Sequence, residues 1–397
     1  MSFRSVFVSL LATMALSGAP PMDPIYDIRE ADSLKPSEHK IGGSTQVNLF
    51  PVPQDGAVGT NSLKNAITVC MFSKNGMRSI NYFQNAVSGM SPSGQYMPLL
   101  SKDAIAYGMT RGFTIFDFTH KKVRDFTIHT SIYRDIEKVR ATDAEKNLFL
   151  FWSKEDEPDA AYLGNTKSFL RLFDLSGEKA ILLEKRQLQD YETWNVYDKK
   201  VFLCDFRNNE LSVFDSNLKP SSHPLVDIIK KNKGTASFVM IVPHPTLPFA
   251  VFYGGTYRAQ YVCWNQPFRD EKIQSIFGVD PSTLYYTFSP DGKWVVFLHK
   301  NSEPKRSYLM PVSEKYPNYL GSPILLEGDY FDRDKFAWTN NPVSLVGASN
   351  GKLLRYDLTK EGHPEAEGYP SYWDYVVEKD LEKLRKAGKQ GLKPIKP

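Results

Sequence analysis

The chain has 397 residues, 41% of them apolar and 13% aromatic, with 26 prolines, 25 glycines and a formal net charge of +4. That composition supports a large core interrupted by many turns. Its three cysteines, Cys70, Cys204 and Cys263, show no metal-ligand or redox spacing, which excludes a disulfide scaffold and covalent haem attachment.

Taken from the N-terminus, Arg4, the apolar stretch Val6 to Leu16, small residues and then Ala19-Pro20-Pro21 follow the order of a secretory signal. The apolar stretch is too short to span a bilayer. The expectation is a signal peptide over 1–19, cleaved on export to the periplasm or the exterior. An N-terminal strand or an uncleaved membrane tether are the other readings. Next, Ile67 to Phe72 and Met77 to Phe83 flank Lys74-Asn75-Gly76, a hairpin signature.

A repeat then dominates the chain. Its clearest copy runs from the apolar-aromatic strand Tyr285 to Phe288 through the turn Ser289-Pro290-Asp291-Gly292 into the buried strand Trp294 to Phe297. Ser91-Pro92-Ser93-Gly94 is its cousin, and weaker turns begin at Ala141, Val196, Pro243 and Thr339. The steps between them average about 50 residues, within the range of propeller repeats. Third strands supply a second register: Phe113 to Asp117, Leu170 to Asp174, Leu211 to Asp215 and Leu354 to Asp357 close on an aromatic-Asp pair, and Tyr261 to Asn265 is a looser member. A closing Asp or Asn bonds to backbone N–H groups of the next turn, so it implies no chemistry.

This unit of apolar-aromatic strand, Ser-Pro-Asp-Gly turn, apolar strand and closing aromatic-Asp resembles the blade of WD40-like and TolB-type β-propellers, over residues 84 to 358. The resemblance implies an all-β propeller whose role is binding a partner or ligand more readily than catalysis; with N-terminal strands closing the ring, the expected count is seven blades, with six the alternative. A propeller reaches this size as one domain because each blade packs only on its neighbours. Strands from the N-terminal region are expected to complete the final blade, and the propeller domain is set at 20–358.

The region 359–397 is read as a loop, an amphipathic helix carrying Trp373, Val377, Leu381 and Leu384, and a basic tail. Seven Lys or Arg against three Asp or Glu follow from Glu378 onward. A solvated tail and contact with an anionic surface or acidic partner are the two readings. No aromatic-basic repeat accompanies the charge, so nucleic acid is not an expected partner.

Catalytic constellations are scarce. Gly347-Ala348-Ser349-Asn350-Gly351 fits the letters of a nucleophile elbow, but the Ser precedes an Asn-Gly hairpin instead of a helix. The seven histidines show no local ligand spacing, His244 reads as a turn residue between two prolines, and the acidic run Glu155 to Asp159 lacks a calcium-loop pattern. Cys204 and Cys263 fall in adjacent units, leaving both a bridge and buried thiols open. By register the first strands carry Arg140, Trp194, Tyr285, Tyr286 and Trp338, which form either an aromatic mouth with one cation, suited to a small planar, carboxylated or peptide ligand, or packing between blades. No catalytic residue, metal ligand or cofactor is assigned. The leading functional expectation is a non-enzymatic exported platform for protein partners. The alternatives are a channel-centred metal-dependent hydrolase, lactonase-like or lyase enzyme, and a propeller that binds a small molecule or glycan.

Overall fold

The computed structural model describes residues 32–358 apart from 41–46, 52–56, 63–65, 74–75, 83–103, 110–111, 118–121, 128–132, 144, 157–165, 233–238, 254–258, 265–272, 277–282, 300–306, 317, 328–335, 341–342 and 350–351. The expected signal segment, the turn at Ser91 and the C-terminal helix and tail lie outside the described residues.

Two short strands come first, β1 (Asp32–Leu34) and β2 (Ser37–Lys40). Sheet one follows with β3 (Val47–Pro51), β4 (Ala57–Ser62), β5 (Ala66–Ser73) and β6 (Gly76–Tyr82), and sheet two with β7 (Ala104–Met109), β8 (Gly112–Asp117) and β9 (Lys122–Thr127). Sheet three comprises β10 (Tyr133–Asp143), β11 (Leu148–Asp156), β12 (Thr166–Asp174) and β13 (Ile181–Leu188). Sheet four has β14 (Glu192–Tyr197), β15 (Lys200–Asp205) and β16 (Glu210–Phe214), then helix α1 (Pro224–Lys231). Sheet five holds β17 (Met240–Pro243), β18 (Phe249–Tyr253), β19 (Ala259–Cys263) and β20 (Gln274–Ser275). Sheet six holds β21 (Thr283–Phe288), β22 (Trp294–His299), β23 (Ser307–Pro311) and β24 (Ile324–Leu326), and sheet seven β25 (Phe336–Thr339), β26 (Ser344–Ser349) and β27 (Lys352–Asp357).

Neighbouring strands in these runs pair antiparallel, and the first strands of consecutive sheets lie against one another: β7 on β10, β10 on β14, β14 on β17, and finally β25 on β3. The last contact turns a row of sheets into a ring. Closure is completed by β2, which pairs antiparallel with β27 in the register Ser37 to Arg355 and Lys40 to Lys352, while β1 adds in parallel to β24. The hairpin expected around Lys74-Asn75-Gly76 is β5–β6, inside a sheet of its own. The strand that finishes the last sheet comes from further upstream.

Alternation explains the strand sequences. In β18, Phe249 and Val251 face sheet six while Ala250 and Phe252 face sheet four and α1. In β22, Val295 and Phe297 face sheet five while Val296 and Leu298 face sheet seven. Buried on both faces, such strands become continuous apolar runs in which each parity serves a different neighbour. Sheet four shows no fourth strand among the described residues. Helix α1 packs there instead, burying Leu225, Ile228 and Ile229 against Phe252 and Trp264 of sheet five and Phe202 and Leu211 of sheet four.

The expected closing role of the third-strand acids is seen at two sites. Asp174 Oδ1 accepts from the Ser176 amide at 2.8 Å, and Asp215 Oδ1 from the Asn217 and Lys219 amides at 2.8 and 2.9 Å. Cys204 and Cys263 are not joined by a disulfide: Cys204 faces the core between sheets four and five, and Cys263 packs on the opposite side of sheet five. The bridge left open by the sequence is therefore not formed, because the two side chains project into different inter-sheet layers. Phe297 is fully buried between sheets five and six. Truncation in Phe297→Ala is expected to cost about 3–5 kcal/mol by lost burial and a residual cavity, measurable as a lowered denaturant midpoint at unchanged slope.

Candidate functional site

The five residues expected at the mouth all lie on first strands: Arg140 on β10, Trp194 on β14, Tyr285 and Tyr286 on β21, and Trp338 on β25. The structure distributes three of them among separate junctions. Trp194 packs among Leu150, Leu170 and Leu203 between sheets three and four. Tyr286 is buried between sheets five and six, where its hydroxyl donates to the Met240 carbonyl at 2.6 Å. Trp338 is buried with Leu298, Leu309 and Leu345 between sheets six and seven. Arg140 is half-buried, and the side chain of Tyr285 lies outside the described residues. Geometry accounts for the separation: the side chains of a first strand project onto the two faces of its own sheet, toward the neighbouring sheets, while its backbone edge faces the axis.

Turns between first and second strands share one end of the ring, since every unit is wound alike, and there they lock neighbouring sheets together. In the turn after β21, Ser289 Oγ donates to Asp291 Oδ1 at 2.5 Å and accepts from the Trp294 amide at 3.0 Å. Asp291 Oδ1 also receives the Lys293 amide at 3.1 Å, and Gly292 adopts a φ of 70°. Against this turn sits His244, from the turn after β17. Its Nδ1 accepts the Thr246 and Leu247 amides at 3.1 and 2.8 Å, which places the proton on Nε2, and Nε2 donates to the Gly292 carbonyl at 2.7 Å. The ring stacks on Phe249 and meets Phe288 edge-on. His244 is a turn residue, as the flanking prolines suggested, but one that also joins sheet five to sheet six.

An ionic counterpart joins sheets three and four. The turn after β14 places Asp198 and Lys199 at φ values of 45° and 56°, and Lys199 reaches Asp143, at the end of β10, at 3.4 Å. Burial alone would raise the Asp143 pKa, but Lys199 and Lys146 outweigh it and hold the carboxyl below its usual range.

At the outer rim, β13 presents the largest apolar exposure among the described residues. Ile181, Leu182 and Leu183 are 55%, 45% and 48% exposed. One edge of β13 pairs with β12, and no described strand occupies the other. The register shifts at Phe173, leaving Leu183 unpaired between Leu182 and Glu184 and turning aliphatic side chains to both faces. Lys179 and Lys185 flank the aliphatics, and Glu184 is held by Lys219 at 2.8 Å. The available sequence signal was three consecutive aliphatics at the start of an outer strand, where alternation fails. Among the described residues no group of three or more His, Cys, Asp or Glu is placed to hold a metal ion, and Ser349 ends β26 opposite Lys352 in a hairpin, without a following helix.

The chain is similar in structure to the β-propeller domain of Cps50 (Swd1) from Myceliophteria thermophila, with a TM-score of 0.52 and 10% identity, over 81% of this chain and 100% of that domain. No family model matches the sequence, and no curated protein matches it. The fold is a β-propeller.

A Cβ at position 292 would lie 3.0 Å from His244 Nε2, at a backbone φ that side chains rarely adopt. Gly292→Ala is expected to destabilise the protein by about 1–3 kcal/mol, read as a lower thermal midpoint. An Ala at Gly177, which has open space around it, serves as the control.

Proposed function

We propose that this chain is a non-enzymatic, exported propeller that acts as a platform for protein partners. The observation carrying the reading is the outer edge of β13, where exposed Ile181, Leu182 and Leu183 accompany a strand edge that no described strand occupies. Such an edge recruits an extended peptide by main-chain hydrogen bonds, with side chains on alternate faces supplying selectivity. The occupant that fits is an extended segment of a partner protein with an apolar centre and acidic flanks, matched to the aliphatics and to Lys179 and Lys185. Propellers use their rims for such contacts without requiring chemistry in the channel. Export to the periplasm or the exterior is supported by Arg4, the apolar stretch Val6 to Leu16 and the small residues after it.

The test purifies the chain from its native host, wild-type and Leu182→Lys, and maps hydrogen exchange with and without the co-purifying protein. The reading expects a stoichiometric partner that protects β13 in the wild type and binds at least tenfold more weakly to Leu182→Lys, with the variant's unfolding midpoint unchanged. Binding indifferent to Leu182→Lys would remove β13 as the site. A partner-free chain that turns over a substrate with a bound divalent metal would overturn the platform reading.

A further inference from the structure

Sheet five is held on both flanks by an imidazole that must be neutral to make its bonds. On one flank His223 caps α1: its Nδ1 accepts the Leu225 amide at 3.2 Å, and its ring meets Phe202 of sheet four and Trp264, which follows β19, edge-on at 5.1 and 5.7 Å. On the other, His244 holds the turn after β17 through two amides at Nδ1 and reaches the Gly292 carbonyl of sheet six through Nε2. An incoming proton has only Nδ1 to occupy in either ring, so protonation converts an acceptor facing N–H groups into a donor facing them. At His223 the new charge also falls at the positive end of the helix.

We propose that sheet five is an acid-released element of the propeller: protonation of His223 and His244 frees α1 and β17–β20 from sheets four and six while the other sheets stay closed. The charged surroundings oppose the proton or do little to invite it. Lys200 on β15 repels a charge on His223, Asp198 in the adjoining turn attracts it more weakly, and within α1 the acidic Asp227 lies in the first turn and Lys230 and Lys231 in the last. On the turn facing His244 the charged residues are Asp291, already bonded to Ser289 and Lys293 N–H, and Lys293 itself. Burial, then Lys200, lowers His223 to about 4, and burial lowers His244 against the pull of the Gly292 carbonyl.

The direction of linkage follows. Each imidazole binds fewer protons folded than unfolded, so its contribution is present above the ordinary histidine pKa of 6.5 and is lost as pH falls through that value toward the folded one. Release of α1 uncovers Leu225, Ile228 and Ile229 together with the side chains they cover, Phe202 and Leu211 of sheet four and Phe252 of sheet five, an apolar surface that becomes available only in acid.

The experiment follows hydrogen exchange of the full chain from pH 7 to 4, corrected for intrinsic rates, with Trp264 emission in parallel. The variants are His223→Asn, whose amide oxygen keeps the cap, and the double variant with His244→Asn. Expected is loss of protection in α1 and β17–β20 at a pH at least half a unit above that in β10–β13, with the opening of α1 moved down by a unit or more in His223→Asn and that of β17–β20 in the double variant. Opening of sheets three and five together in the wild type would overturn the proposal. So would an opening of α1 unmoved in His223→Asn, which settles the matter if the double variant does not fold.

Discussion

Because the sheets of this ring pack face to face, every strand must satisfy two neighbours at once, and the row must close on itself to bury its last exposed faces. Five inter-sheet cores run in order from sheet three round to sheet one. The last forms when Ala337, Val346 and Leu353 of sheet seven meet Leu49, Val58 and Phe72 of sheet one. Pairing of β2 with β27 fixes that contact from outside, with His39 and Arg355 both set against the Phe72 ring and Lys352 bonded to Glu38 at 2.6 Å. The exposed ion pair contributes little by itself. The strand addition joins residues more than three hundred positions apart, so its loss would expose an apolar layer and two strand edges together.

Much of this was legible in the chain because the same geometry recurs. Asp291 and Gly292 mark their turn through a side-chain oxygen bonded to backbone and a positive φ, needs that few residues meet. Asp174 and Asp215 recur for a similar reason. Closure by Ser37 to Lys40 was hidden, since four polar residues on an outer strand carry no apolar periodicity. Placement of Trp194, Tyr286 and Trp338 followed correctly onto first strands, yet period-two reasoning gives only a face. Whether a face meets solvent or the next sheet is decided by the ring, and here it meets the next sheet.

Function in such a ring falls to what the packing leaves over. The faces are spent on neighbouring sheets and the rim turns on locks such as His244 with Gly292 and Lys199 with Asp143. Outer edges remain, and they differ from sheet to sheet: β2 shields β27, α1 stands beside β16, and β13 carries aliphatic residues into solvent. An apolar outer edge is an aggregation hazard unless bulged, charged or covered. The register shift and the Glu-Lys-Arg sequence that follows Leu183 restrain it without removing it.

The most direct test of the account is to tie the ring shut where the two ends of the described chain meet. Lys40 and Lys352 face each other at the end of the β2–β27 ladder, so the variant carrying Lys40→Cys and Lys352→Cys places two thiols at bridging distance. Closure as described predicts a complete intramolecular disulfide under mild oxidation and a stability gain of about 2–4 kcal/mol, lost again on reduction. Thiols that stay free in the folded protein, or a bridge that leaves the unfolding midpoint unmoved, would contradict it.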